Sequence, residues 1–239
     1  MFTIRIANKN IKINNLYGDI EGFCRNYIVN DVNPDLVIEV TIDDILNEGK
    51  KCSGSMGYLE KFAVYRKICE ELASDDIIYV HSSVLMVDGQ AVMFLAPSGT
   101  GKSTHSRLWR QVYGDRVTMI NDDKPLVSVQ TDDERTLLTV YGTPWCGKHG
   151  IETNTSAPVK TIFILKRSET NYTKKLSPKE AFPYIYRQIY HPNNEMLMKK
   201  ILPLMLTFAE NVEIYELGCN MEEEAARTAY RVAFGAEAD

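Results

Sequence analysis

The chain has 239 residues, of which 44% are hydrophobic and 25% charged, and its formal net charge is −5. This composition is typical of a folded globular protein, and the acidic balance without a basic run argues against binding nucleic acid through its phosphates. Five cysteines without a Cys-x-x-Cys pair favour a reduced, cytoplasmic setting over a disulfide framework.

The first 76 residues are predicted to form an α/β appendage that packs on the rest of the chain. Alternation of apolar and polar residues predicts two short strands over 2–7 and 10–14, joined as a hairpin, instead of a signal peptide. A strand over 36–40 and an amphipathic helix over about 57–73 follow. This region carries no catalytic pattern, so we expect a structural role for it.

Residues 77–239 are predicted to form a second domain. Two β-rich runs, 77–87 and 90–95, flank Asp88-Gly89, a strong signal for a tight hairpin. Beyond them the pattern predicts a helix over 102–113, a strand over 117–120, a hairpin over 126–130 and 137–141, and a buried strand over 158–165. No apolar stretch is long enough to span a bilayer, so no membrane partner is expected.

The C-terminal part of the chain is predicted to be mostly helical. Ser177, Pro178 and Glu180 form a helix-start signature, with Pro183 expected to interrupt or kink that helix. A second helix over 194–209, a strand over 212–217 and a last helix capped by Asn220 complete the pattern. Because several neighbouring strands form hairpins, we predict an α/β fold with a mixed sheet.

Residues 96–104, Ala-Pro-Ser-Gly-Thr-Gly-Lys-Ser-Thr, match the phosphate-binding P-loop pattern, with alanine replacing the first glycine. Glycines let successive backbone N–H groups turn toward phosphate oxygens, and the following helix directs its positive end to the same place. Lys102 is expected to reach the β- and γ-phosphates and Ser103 to bind Mg²⁺. The sequence therefore predicts binding of a nucleoside triphosphate, with ATP as the expected donor, and of Mg²⁺. Other nucleotides and pyrophosphate stay open as donors. The predicted nucleotide-binding residues are Pro97, Ser98, Gly99, Thr100, Gly101, Lys102, Ser103 and Thr104.

Two adjacent carboxylates, Asp122 and Asp123, end the strand that follows the P-loop helix. A strand ending in a carboxylate is the expected partner of a P-loop, because it holds Mg²⁺ directly or through water. Side chains of consecutive residues in an extended chain point to opposite faces, so the two can do different work. We assign the proton acceptor preferentially to Asp122 and the metal contact to Asp123.

Three other polar residues are candidates for the site. Continuing the hairpin register beyond Asp88-Gly89 places His81 opposite Ala96, beside the expected phosphates, although a structural role for this histidine stays open. Lys148 and His149 lie in the glycine-containing stretch 142–150 and are candidates for contacts with the acceptor or a phosphate. An exposed turn is the alternative for that pair.

Taken together, these features resemble the HPr kinase/phosphorylase family, whose core is similar to that of phosphoenolpyruvate carboxykinase. The resemblance covers roughly residues 79–166: His81, the Gly-Lys-Ser of the P-loop, the strand ending in Asp122-Asp123, and the stretch 142–150. In that last stretch the chain looks closer to kinases of lasso-peptide precursors. Ala96 and the absence of an Arg-Gly-Leu-Gly run depart from the family pattern.

The resemblance implies a kinase that phosphorylates a serine of a peptide or protein, in an assembly of several copies. It also implies a P-loop kinase core of the HPr kinase C-terminal domain type. Two other functions stay open from the sequence: a kinase of a small hydroxylated metabolite, and a module that senses ATP without catalysis.

Overall fold

The computed structural model describes residues 1–132, 135–147 and 150–235. Strands β1 (Phe2–Ile6) and β2 (Lys9–Asn14) form the predicted antiparallel hairpin, and β3 (Leu36–Glu39) pairs parallel to β2. Helices α1 (Asp19–Phe23), α2 (Ile42–Gly49) and α3 (Met56–Leu72) complete this N-terminal region. Only α3 was predicted. The start of α2 is nevertheless encoded locally, since Thr41 and Asp44 form a capping box.

The rest of the chain forms a mixed nine-stranded sheet with helices on both faces, which confirms the predicted mixed α/β class. Its strands are β4 (Ile77–Tyr79), β5 (Ser83–Val87), β6 (Gln90–Leu95), β7 (Val117–Asn121), β8 (Leu126–Thr131), β9 (Thr136–Tyr141), β10 (Ser156–Arg167), β11 (Tyr172–Leu176) and β12 (Glu213–Cys219). Its helices are α4 (Lys102–Tyr113), α5 (Pro178–Tyr186), α6 (Glu195–Glu210) and α7 (Glu223–Phe234).

Strand β10 organises the sheet because its two halves have different neighbours. Its beginning pairs antiparallel with β9, and its end lies parallel between β6 and β12. Alternate residues of β6 enter different cores: Met93 packs with α5 and α6 on one face, and Phe94 packs with α4 and α7 on the other. The sheet therefore has two buried faces, and the carboxyl end of β6 leads directly into the P-loop.

A third core joins the N-terminal region to the sheet. It contains the inward residues of β1, β2 and α3 together with Leu126, Tyr141 and Trp145 of the larger sheet region. Tyr65 of α3 and Trp145 stack with ring centroids 4.6 Å apart. The first 76 residues are thus packed against the part of the chain that carries the two aspartates.

The predicted strand over 77–87 is wrong in its middle, because residues 80–82 leave the hairpin. The β5–β6 register runs as predicted from Val87 opposite Gln90 to Ser83 opposite Phe94, and it stops there. The backbone N–H of His81 donates instead to the carbonyl of Gln188 at 2.7 Å. His81 therefore does not pair with Ala96.

Three smaller differences concern the C-terminal part. Asn220 does not cap α7; Glu222 is the N-cap, and the Asn220 side chain accepts a hydrogen bond from the Glu222 N–H. Pro183 does not interrupt α5, which continues past it to Tyr186, and the alternative of a kink there stays a prediction. Strand β11 was not predicted. Within the described residues, no helix combines the length and apolar character needed to cross a membrane.

Candidate active site

The P-loop connects β6 to α4 with the backbone geometry that its glycines permit. Gly99 has a φ of 77° and Gly101 a φ of 125°, a region that side chains disfavour. Ala96 is not among the residues with positive φ, and its methyl group is buried. Alanine is therefore tolerated at the position of the first glycine, because the chain turns later, at residues 99 and 101.

Lys102 is buried at the start of α4, with 8% of its surface exposed. Its ammonium donates a 2.7 Å hydrogen bond to the carbonyl of Ala96. Burial lowers the pKa of Lys102, and Lys124 adds to this effect while the Asp123 carboxylate opposes it. A poorly solvated ammonium at a helix N-terminus attracts an anion, since an anionic partner offsets its cost of desolvation.

Arg167, at the end of β10, holds the P-loop through two of its backbone carbonyls. Its guanidinium donates to the carbonyl of Gly99 at 2.6 Å and lies 3.4 Å from that of Thr100. This contact could not be predicted from sequence patterns, because Arg167 is 67 residues from Thr100 in the chain. It depends on β10 lying beside β6.

Asp122 and Asp123 follow β7 and face different partners, in line with the expected difference in their orientation. Asp122 is buried, and its Oδ1 accepts a 2.5 Å hydrogen bond from the N–H of Gly147. A Cβ at position 147 would stand 2.6 Å from Asp122 Oδ2, so only glycine fits there without displacing the carboxylate. This contact leaves Oδ2 of Asp122 without a protein donor among the described residues.

Asp123 is held by two cationic or polar groups. His81 Nε2 lies 3.1 Å from Oδ1 of Asp123, and the Lys124 ammonium contacts its Oδ2. Burial acts to raise the pKa of Asp123, but the hydrogen bond from His81 and the charge of Lys124 outweigh it, leaving a pKa of about 2. Asp123 is thus a stable carboxylate, suited to a charge-bearing role.

Asn121 holds the two-aspartate turn against the following loop. Its Oδ1 accepts from the N–H groups of Asp123 and Lys124, and its Nδ2 donates to the carbonyl of Thr143. Because Asn121 is fully buried, this network fixes the turn in one conformation. The sequence pattern marked the two aspartates and missed the asparagine that positions them.

One cavity of about 420 Å³ brings the predicted groups together. The loop lines one wall and the aspartates the other. Its lining is His81, Ser98, Gly99, Gly101, Lys102, Ser103, Thr104, Asp122, Asp123 and Gly147. His81 reaches this cavity through Asp123 and not through the predicted pairing with Ala96. Lys148 and His149 lie outside the described residues.

The cavity is suited to Mg²⁺ that arrives with phosphate ligands. Among the described residues, no group of three or more histidine, cysteine or acidic side chains forms a metal site by itself. Mg²⁺ in phosphoryl-transfer sites takes one or two protein oxygens and completes its shell with phosphates and water. Ser103 and one aspartate at the edge of the cavity fit this requirement.

A second cavity, of about 270 Å³, lies on the other side of the P-loop. Pro97 and Thr100 line it from the loop, Ile164 from β10 and Tyr184 from α5. The Gln188 side chain is 8% exposed there, and its Oε1 is buried without a hydrogen-bond partner in the described part of the chain. Three cationic residues, Lys166, Arg167 and Arg187, also line this cavity. Apolar walls, an unsatisfied amide and a cationic margin suit a flat, polar-edged ring that is joined to an anionic group.

Similarity to known proteins is found among solved structures, of which 77 chains match. The sequence matches no protein-family profile and no curated protein. Among solved structures, the HPr(Ser) kinase/phosphatase from Coxiella burnetii is similar with a TM-score of 0.34 and 11% identity, over 64% of this chain and 96% of that chain. Likeness at this level does not assign an activity, so function has to be argued from the site itself.

Proposed function

We propose that this chain is a Mg²⁺-dependent kinase, which transfers the γ-phosphoryl group of ATP to a hydroxyl, with a serine of a peptide or protein as the expected acceptor. One observation carries the proposal. A P-loop faces a buried carboxylate across a cavity, and one oxygen of this carboxylate has no hydrogen-bond donor among the residues that the structure describes. Phosphoryl transfer needs this combination of charge stabilisation and an oriented proton acceptor.

The P-loop wall would hold the donor. Backbone N–H groups of residues 97–103 and the positive end of α4 would bind the phosphates, and Lys102 would exchange the Ala96 carbonyl for phosphate oxygens. The purine would lie in the cavity beside Tyr184, where the Gln188 amide meets its polar edge. This base cavity, which would hold the purine, favours a nucleotide over pyrophosphate as the phosphoryl donor.

The carboxylate wall would activate the acceptor. Asp122 would take the proton of the acceptor hydroxyl on Oδ2 while its Oδ1 stays fixed by the Gly147 N–H. The acceptor oxygen then forms the new bond to the γ-phosphorus, the bond from phosphorus to the bridging oxygen breaks, and ADP leaves. A positioned base of this kind typically contributes about 10²–10⁴-fold to the rate.

Mg²⁺ would be held by Ser103 and Asp123 together with the phosphates, and it would neutralise charge on them. Asp123 suits this role because its pKa of about 2 keeps it ionised at neutral pH. His81 and Lys124 would orient that carboxylate and then share it with the metal. The residues present therefore fit the ion that the P-loop implies.

The proposal is tested by labelled-phosphate transfer. The protein with Mg²⁺ and γ-labelled ATP is offered serine peptides and small hydroxylated compounds, and products are identified by mass. We expect a phosphorylated peptide. Transfer to small hydroxy compounds alone would establish the metabolite kinase instead. Tight ATP binding without phosphoryl transfer to any acceptor, together with unchanged ATP binding in Asp122→Asn, would establish the sensing module.

A further inference from the structure

We propose that the acceptor of this kinase carries an anionic group, a carboxylate or a phosphate, close to the hydroxyl that is phosphorylated, and that Arg107 and Arg110 bind this group. The inference rests on the proposed function, because it describes the second substrate of the same site. It starts from a third cavity, of about 290 Å³, which Ser103, Thr104, Arg107 and Arg110 line from α4.

The third cavity adjoins the phosphate cavity, which lies between the P-loop and the two aspartates. The two cavities meet at Asp122, the proposed proton acceptor. Ser103, Thr104 and Asp122 line both cavities. A residue that removes a proton from the acceptor has to lie within hydrogen-bond reach of the acceptor hydroxyl, whose oxygen contacts the γ-phosphorus. Such a residue is therefore expected where the donor's cavity meets the acceptor's cavity. Asp122 stands at that junction, so the third cavity is where the acceptor would lie.

Two guanidinium groups project into this cavity from α4. Arg107 follows Ser103 by four residues and Arg110 follows Arg107 by three, so all three lie on one face of the helix. In the described part of the chain, neither arginine side chain has an ion pair or hydrogen bond. Nε of Arg110 is in addition buried without an acceptor. Arg107 is exposed and Arg110 is half-buried, so the unsatisfied Nε of Arg110 is the group that indicates a missing anionic partner.

The other residues that line the third cavity are apolar or acidic. Met119 of β7 and Ile151 supply apolar surface, and Asp122 is the carboxylate in the lining. An anion near Asp122 and the γ-phosphate would be repelled by both, and two guanidinium groups offset this repulsion. Because the whole chain has a net charge of −5, this recognition is local and does not come from overall charge.

The test measures binding to the protein loaded with Mg²⁺ and a non-hydrolysable ATP analogue, so that the phosphate cavity is already filled. The probes are N-acetylserine (carboxylate), glycerol 3-phosphate (phosphate) and the neutral N-acetylserinamide. We expect at least one anionic probe to bind about tenfold or more tightly than the neutral one. We expect this preference to disappear in Arg107→Gln/Arg110→Gln, and to persist in Arg25→Gln, an exposed arginine of the N-terminal region.

Each outcome decides the inference. The probe that binds identifies a carboxylate or a phosphate as the recognised group. Equal binding of charged and neutral probes, no binding of any probe, or an undiminished preference in the double variant would overturn the inference. ATP affinity, measured in parallel, separates the two claims: loss of the anion preference with normal ATP binding leaves the proposed kinase intact.

Discussion

The two walls of the phosphate cavity are built in different ways. The P-loop wall, residues 96–104, is built by one continuous segment whose own backbone forms the binding surface. The carboxylate wall needs Asn121, Asp122 and Gly147, and these meet only when the loop before β10 folds back on the end of β7. The proposed donor-binding wall is thus encoded in nine consecutive residues, whereas the geometry of the proposed base depends on tertiary contacts.

This contrast predicts that damage to the carboxylate wall stops chemistry and that damage to the P-loop wall weakens donor binding. Asp122→Asn keeps the hydrogen bond from Gly147 but removes the proton acceptor. We expect kcat to fall about 10²–10⁴-fold while ATP affinity changes little. Steady-state turnover and calorimetric ATP binding measure the two effects. Near-normal turnover would remove Asp122 from the chemistry.

Lys102→Ala probes the P-loop wall, where we propose that one side chain serves both ATP binding and catalysis. We expect kcat/KM to fall about 10²–10³-fold, with ATP binding clearly weakened, because the lysine stabilises charge on the β- and γ-phosphates. Lys179→Ala, an exposed lysine of α5, is the control. ATP affinity and turnover that both stay unchanged would contradict the assignment of the loop.

Gly147→Ala perturbs the carboxylate wall without altering any charged group. The new methyl group would stand 2.6 Å from Oδ2 of Asp122 and push the carboxylate aside. We expect turnover to fall about 10- to 100-fold and ATP affinity to persist. Gly22→Ala, where the methyl group meets open space, is the matched control. Equal turnover of the two variants would show that the close approach is unimportant.

Arg167→Ala loosens the P-loop from outside by removing the contacts with the carbonyls of Gly99 and Thr100. These bonds are exposed, so we expect ATP affinity to weaken only about three- to tenfold. Turnover at saturating ATP should stay close to that of the unchanged protein. A fall in kcat without a change in affinity would place Arg167 in the chemistry instead.

The smallest expected effect concerns acid stability at the carboxylate wall. The folded pKa of Asp123 is about 2, against an ordinary value of 3.8. A carboxyl whose pKa is lower in the folded state stabilises the fold above its unfolded pKa and loses this contribution as the pH falls. The unfolding free energy should therefore drop more for the unchanged protein than for Asp123→Asn between about pH 4 and pH 2. The unfolding free energies are measured by denaturant unfolding at each pH. If the curves of the two proteins run parallel, the pairing of Asp123 with His81 and Lys124 would be refuted.

The same contrast explains what the sequence could and could not predict. Strand β6, helix α4 and the hairpin turn at Asp88-Gly89 follow from local patterns, and the structure confirms them. The break at residues 80–82 was missed because their backbone bonds reach distant partners such as Gln188. Arg167, Gly147 and the base cavity were missed for the same reason, since each depends on which segments become neighbours.

The arrangement of Arg107 and Arg110 on α4 can be predicted in part from the sequence. Their spacing after Ser103 can be read from the sequence, and on a helix it places them on one face. What the sequence does not reveal is that this face meets β7 and Ile151 to enclose a cavity that reaches Asp122. A charged helical face is usually solvated, and Arg107 is itself exposed. The shared cavity and the buried, unpartnered Nε of Arg110 are what give the pair a specific meaning.

The most direct measurement is a crystal structure of the protein with Mg²⁺ and a non-hydrolysable ATP analogue. We predict a triphosphate wrapped by residues 97–103, a purine beside Tyr184 and Gln188, and a terminal phosphate that faces Asp122 with Mg²⁺ at Ser103. An analogue bound away from the P-loop, or a terminal phosphate that points away from Asp122, would contradict the proposed division of work between the P-loop wall and the carboxylate wall.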